Sequence, residues 1–245
     1  ISDADKITPI SDMKDLIQER TGSRPGEPGG YFRLNPKVDD IPEMYWREHH
    51  GVKLMVMGQL KRGGSGCYCA ENVLLQALVN HLLLERNEVI ILDMEAGIEH
   101  LTRATAKAVD VLIIVVEPGH RSVETAIKIR RLASDIGLTN IVVVGNKIKS
   151  DREKEFLVSN LPGFKFLGFI PYDQAVIDSD LANESVIGSS LPVIAAVKDI
   201  FKLSINDNQN LPQIKYINIM IFQIYGQNGS IELIIKDWRN FINNK

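Results

Sequence analysis

From residue 53 to residue 203 the sequence alternates short apolar runs with helix-patterned segments, and this alternation restricts the fold more than any other feature. KLMVMG (53–58), EVIILDM (88–94), VLIIVVEP (111–118), NIVVVGNK (140–147) and a stretch within FKFLGFIPYD (164–173) read as strands. The intervening segments 70–86, 101–109, 122–137 and 151–161 read as helices, and 189–203 as a closing helix. In the first of these, Val73, Leu74, Ala77, Leu78, His81 and Leu82 recur at the spacing of one helix face. Gly137 is placed to cap the third. Strands that are apolar on both sides and separated by helices predict an α/β fold: a mostly parallel sheet covered by helices on both faces. In such sheets ligands sit beyond the carboxyl ends of the strands. Asp93, Glu117, Asn146, Lys147, Tyr172 and Asp173 fall at those ends.

The flanks are less regular. SDMKDLIQER (11–20) predicts a short helix with Ser11 as its N-cap, 21–30 a loop, and YFRLNP (31–36) a short strand. After residue 204 the composition shifts: residues 205–245 hold ten Ile and eight Asn. That segment predicts either a hairpin turning at Asn228-Gly229 or an appended tail, and it carries no recognisable chemistry. The domain boundary is accordingly expected near residue 204, with 1–204 as one domain, a size that 245 residues readily accommodate. A net charge of −3 argues against a nucleic-acid or anionic-membrane partner. No apolar run reaches the roughly 18 residues of a membrane span. Two cysteines one residue apart make a strained disulfide, so metal or redox use in a reducing cytoplasm is the expectation.

Both cysteines lie in KRGGSGCYCAEN (61–72), which has the outline of a phosphate loop. A phosphate loop needs G-x-x-x-x-G-K-[ST], because the lysine reaches the β/γ oxygens and the hydroxyl binds magnesium. Here Cys67 follows Gly66, so both side chains are wrong. Cys67 and Cys69 instead form a C-x-C pair just before a helix, whose dipole favours thiolate. Zinc or a comparable soft metal with a tetrahedral thiolate or imidazole set needs four ligands, and a two-fold dimer would supply them. Two loop cysteines without a ligand are the competing reading. Asp93, at the end of an apolar strand, suits a magnesium-side carboxylate, and equally a turn or cap residue. His81 reads as a core histidine, the His49-His50 pair as solvated, and His120 as the start of a helix.

GGSGCYCAEN, LDMEAGIEHLTRATAKAVD, VVEPGHRSVETA, GNK and GFIPYD, in this order and spacing, resemble the CooC-type ATPases. These are accessory proteins for nickel insertion into carbon monoxide dehydrogenase, with relatives serving acetyl-CoA synthase. They belong to the MinD/ParA/ArsA branch of P-loop NTPases, which carry a deviant Walker A motif. The resemblance spans roughly residues 8 to 203. It implies that Cys67 and Cys69 bind a Ni2+ or Zn2+ ion between two protomers, and that Asp93 is the second Walker acid, near Mg2+ and the attacking water. It further implies that Gly97 is the switch glycine facing the γ-phosphate. Asn146, with Lys147 beside it, would read the adenine edge of ATP or ADP, while Pro171 and Tyr172 wrap the base.

In that family a strand, a K-G-G-x-G-K-T loop, a helix and a second strand precede the matched region, and none of them is found in these 245 residues. The expectation is therefore an N-terminally truncated chain with little or no ATPase activity of its own. Its sheet would lack a central strand, leaving apolar surface and unpaired edges. The parent is expected to be a cytoplasmic, homodimeric metallochaperone whose client is a nickel enzyme. Two other readings stand beside it: a non-catalytic metal-binding or dimerisation module, and a MinD/ParA-type positioning ATPase.

Overall fold

The computed structural model describes residues 7–25, 31, 33–49, 52–58, 69–85, 89–95, 109–185, 188–206, 218–223 and 231–236. A 3-10 turn, Ile10–Asp12, leads into α1 (Lys14–Thr21). A short helix α2 (Ile41–Tyr45), with Pro42 in its first turn, precedes the paired strands β1 (Arg47–His49) and β2 (Val52–Gly58). Then follow α3 (Cys69–Glu85), β3 (Val89–Glu95), β4 (Val111–Val116), α4 (His120–Asp135) and β5 (Ile141–Ile148). The remaining elements are α5 (Asp151–Asn160), β6 (Lys165–Pro171), α6 (Gln174–Leu181), α7 (Leu191–Asn206), β7 (Asn218–Gln223) and β8 (Ile231–Lys236).

Eight strands form one sheet in the order β1-β2-β8-β3-β7-β4-β5-β6. Strands β3, β7, β4, β5 and β6 run parallel. Strand β8 is antiparallel to both β2 and β3, so β2 shares the direction of β3. The sheet is mostly parallel, as the apolar strands require.

Each strand alternates its side chains between two faces. On one face Met55, Met57, Ile90, Leu92, Leu112, Ile114, Val116 and Val143 pack against Leu74, Leu78 and Leu82 of α3, Val123, Ala126 and Ile129 of α4, and Leu157 of α5. On the other, Val111, Ile113, Val142, Val144 and Leu167 pack with Ile200 of α7. Helices thus cover both faces, the first more heavily. Helix α4 ends as expected at Gly137, which takes φ +92. The Gly137 N–H donates to the Ser134 carbonyl at 3.0 Å and the Leu138 N–H to the Ala133 carbonyl at 2.9 Å. Two otherwise orphaned carbonyls are satisfied in this Schellman motif.

Three expectations change. Ser11 is not an N-cap: it lies buried in the 3-10 turn, and α1 begins at Lys14 without a side-chain cap. The described residues of YFRLNP form no strand; Tyr31 and Leu34 are 99% and 73% exposed, so a strand there would bury little surface. Strands do form on either side of Asn228-Gly229, but they do not pair with each other as a hairpin. They flank β3, β8 on one edge and β7 on the other. Between β2 and β4 the sheet therefore has no open gap among the described residues, contrary to the expected unpaired edges. The helix expected over 101–109 falls, but for Val109, outside the described residues.

Near the start of the chain, Arg20 grips Asp40 through two hydrogen bonds of 2.9 and 2.8 Å, tying the end of α1 to the start of α2. The guanidinium holds the Asp40 carboxyl below its usual range.

Candidate functional site

The carboxyl ends of β4, β5 and β6 meet at one edge of the sheet. Val116 pairs with Gly145, so Glu117 and Asn146 are the next residues out on adjacent strands. Beyond Gly145 the register with β6 breaks: Gly145 pairs with Phe169 but Ile148 with Pro171, so β5 carries one extra residue. Lys147 takes φ +56, a left-handed conformation unusual for lysine. That conformation costs about 1–2 kcal/mol in a residue with a Cβ.

Lys147 Nζ lies 2.9 Å from Glu117 Oε1. The oxygen itself is closed to solvent, although the side chains of Lys147 and Glu117 are 45% and 34% exposed. A pair this exposed contributes no more than about 1 kcal/mol, which offsets part of the backbone cost. The Glu117 N–H donates to Ser122 Oγ at 3.0 Å, fixing the turn from β4 into α4. His120 opens that helix, as expected, and meets Phe156 of α5 edge-on at 5.1 Å.

Pro171 closes β6, and the Tyr172 N–H donates to the Ile148 carbonyl at 2.9 Å, so the two strand ends are stitched together. Lys149 Nζ sits 4.4 Å from the centre of the Tyr172 ring. The Tyr172 hydroxyl donates to Gln174 Oε1 at 2.7 Å, and Gln174 Nε2 donates to Asp178 Oδ1 at 2.9 Å. Asp173 caps α6: its Oδ1 accepts from the Ala175 N–H at 3.0 Å. Its Oδ2 accepts from the Ser190 hydroxyl, and Ser190 Oγ in turn accepts from the Val193 N–H at 3.2 Å. One carboxylate therefore joins the starts of α6 and α7.

The Ser190 and Ala175 donors hold the Asp173 carboxyl below its usual range. A depressed folded-state value contributes stability above the ordinary carboxylate pKa, lost as pH falls through the folded value. Asp173→Asn is thus expected to melt below wild type at about pH 6, with the difference closing below about pH 4. Thermal midpoints across that range check this; a difference independent of pH would refute it.

Asn146, Lys147, Pro171 and Tyr172 are brought together on neighbouring strand ends. Asp93 is not beside them. It is level with Ile221, and through it with Ile113 and Val142, two residues short of the end of β3 and four positions before Glu117 and Asn146. It is half-buried and by alternation shares a face with Ile91. In register Asp93 stands opposite Glu232 of β8, and magnesium is held through one or two carboxylates with its other ligands from phosphate and water.

Cys69 is the first residue of α3, so its backbone stands at a helix N-terminus. Cys67 and Gly97 lie outside the described residues. The segment carrying the cysteines follows β2, which ends at Gly58 on the same edge as the other carboxyl ends but five strand positions from β5. At the usual strand spacing that is about 24 Å. Among the described residues no group of three or more His, Cys, Asp or Glu could hold a metal ion, and no helix is long and apolar enough to cross a membrane.

Sequence reasoning noted Glu117 as a strand end but not its link to Lys147. It also missed Lys149 and Ser190. An apolar strand ending in an acid beside one ending in Asn-Lys was the available signal for the first; nothing local marked the other two.

The sheet and its polar carboxyl edge define a doubly covered α/β protein of the kind that takes ligands beyond its strand ends. The chain is 43% identical over 185 residues to an uncharacterized ATP-binding protein of Methanocaldococcus jannaschii, covering 74% of this chain and 72% of the relative. It is 45% identical over 179 residues to the carbon monoxide dehydrogenase accessory protein CooC of Rhodospirillum rubrum, covering 73% and 68% respectively. No protein-family model matches. A solved structure of the MinD cell division protein of Aquifex aeolicus overlaps 47% of this chain and 51% of its own, with 23% identity and a TM-score of 0.37. The chain belongs to the CooC-type branch of the MinD/ParA-like ATPases.

Proposed function

We propose that this chain is the base-binding and metal-handling part of an ATP-dependent metallochaperone for nickel insertion into carbon monoxide dehydrogenase. The kinship with CooC carries this reading, and the gathering of Asn146, Lys147, Pro171 and Tyr172 on adjoining strand ends supports it. A carboxamide matches the paired donor and acceptor of adenine N6 and N7, and Tyr172 supplies the aromatic surface on which bases rest. Asp93 is the residue that would hold magnesium, and magnesium when bound neutralises phosphate charge. Gly97 would let backbone approach the γ-phosphate.

The nickel or zinc ion is cargo. Cys67 and Cys69 each give a thiolate, and two copies of the chain complete a four-sulfur set across a dimer axis. Nucleotide binding closes the dimer, and hydrolysis in the intact ATPase releases the ion to its client, in the cytoplasm.

The test reads binding. ADP added to isotope-labelled protein is expected to shift the amides of Asn146, Lys147, Tyr172 and Gln174. Nickel or zinc is expected to bind at one ion per two chains with dimer formation, and Cys67→Ser to lose that ion. Shifts without any metal loss in Cys67→Ser would remove the metallochaperone role. Metal binding without nucleotide shifts would leave a non-catalytic metal module.

A further inference from the structure

Strand β5 changes its pattern of burial at its carboxyl end. Val143 belongs to the core under α4 and α5, and Gly145 faces the same side, where an added Cβ would come within 3.3 Å of Leu157. Val142 and Val144 belong to the opposite face. Continued alternation would bury Lys147 and turn Ile148 to that opposite face. Instead Ile148 joins the core of Val143, and Lys147 stands exposed. The extra residue and the left-handed backbone at Lys147 make the exchange. Glycine or asparagine enters that conformation readily, whereas lysine needs something outside itself to stay there. The group supplied is the Glu117 carboxylate, 2.9 Å away on the neighbouring strand end and itself anchored through its N–H to Ser122.

We infer that Glu117 is a positioning residue. By holding Lys147 in the left-handed bulge it sets the direction in which Asn146, one residue earlier, presents its carboxamide to a purine base. Adenine-over-guanine preference at this edge therefore depends on an ion pair that touches no nucleotide. The inference rests on the adenine-nucleotide reading above. It assigns Lys147 a conformational role rather than a phosphate contact.

The experiment titrates ADP and GDP separately into the full chain and follows the Asn146 and Tyr172 amides. Wild type is expected to prefer ADP. Glu117→Gln is expected to bind ADP up to about fivefold more weakly, the scale of one part-exposed ion pair, and to bring the ADP/GDP affinity ratio toward one. Its melting temperature should stay within about 4 °C of wild type, so that loss of fold is not the cause. The double variant Glu117→Gln/Lys147→Asn is expected to recover most of the preference, because asparagine holds the bulge without a partner. Recovery is the outcome that a merely structural role, or a direct lysine–phosphate contact, does not produce. A Glu117→Gln protein with the wild-type ratio, or a double variant without recovery, overturns the inference while leaving the adenine reading intact. Wild type that binds neither nucleotide overturns both.

Discussion

Removal of residues 207–245 is expected to abolish cooperative unfolding. Strand β3 has no sheet partners other than β7 and β8 among the described residues. Without them Ile90 and Leu92 lose their lateral support, and the sheet parts into β1–β2 on one side and β4–β5–β6 on the other. Each backbone hydrogen bond contributes about 0.5–1.5 kcal/mol net, and both edges of two strands are lost together. The total is on the order of 10 kcal/mol, comparable with the whole stability of a typical domain. A shortened chain ending at Asn206 should therefore be poorly soluble or melt without a sharp transition by circular dichroism. If it instead shows a sharp transition within a few degrees of the full chain, β7 and β8 are dispensable and the sheet is closed in some other way.

Gly58→Ala should be the most damaging alanine substitution among the described glycines. Gly58 has φ +86, and a Cβ there would lie 2.0 Å from Ser11 Oγ and 2.8 Å from Pro9 Cβ. Left-handed backbone costs about 1–2 kcal/mol and overpacking about 1–3 more. The combined loss corresponds to a fall in melting temperature on the order of 10 °C for a chain this size. Gly22→Ala provides the comparison, since Gly22 has φ +81 but nothing within 4 Å of the added Cβ. It should lose only the backbone part. Equal effects of the two substitutions would show that Pro9 and the buried Ser11 do not press on β2. The site matters because Gly58 ends β2 and precedes the segment that carries the cysteines.

Much of this was legible in the sequence, and the remainder was not for identifiable reasons. Strands β2 to β6 announced themselves because each is apolar on both faces and bounded by helix-patterned segments. Leu74, Leu78 and Leu82 were readable from spacing alone, and all three are fully buried. Gly137 was readable because a glycine just past a helix pattern is the commonest residue to cap with positive φ. Ser11 misled because a hydroxyl before a helix usually caps it, whereas here it is packed under Gly58. Asn228-Gly229 misled because the turn signal is local while pairing is global: β3 offers two edges, and the strands before and after the turn take one each. In the candidate site the members were readable as polar residues at strand ends, but their bracing was not. Lys147 carries no sign of a left-handed backbone, and its link to Glu117 joins residues far apart in sequence. Asp93 was expected at the edge because its strand seemed to end there; the strand runs on to Glu95.

The late position of β7 and β8 has a consequence for how the molecule is made. Ile91 pairs with Ile219 and Leu92 with Leu233, partners separated by well over a hundred residues. Contacts of such long sequence separation close slowly, because the loop entropy is spent before the pairing is gained. Synthesis proceeds from the N-terminus at about 5–20 residues per second, so β2 to β6 emerge several seconds ahead of β7 and β8 and wait with β3 unpaired. The nascent chain thus passes through a stage in which an apolar strand at the middle of the sheet has two open edges. Folding yield should depend on how quickly the last strands arrive and on what shields that gap until they do.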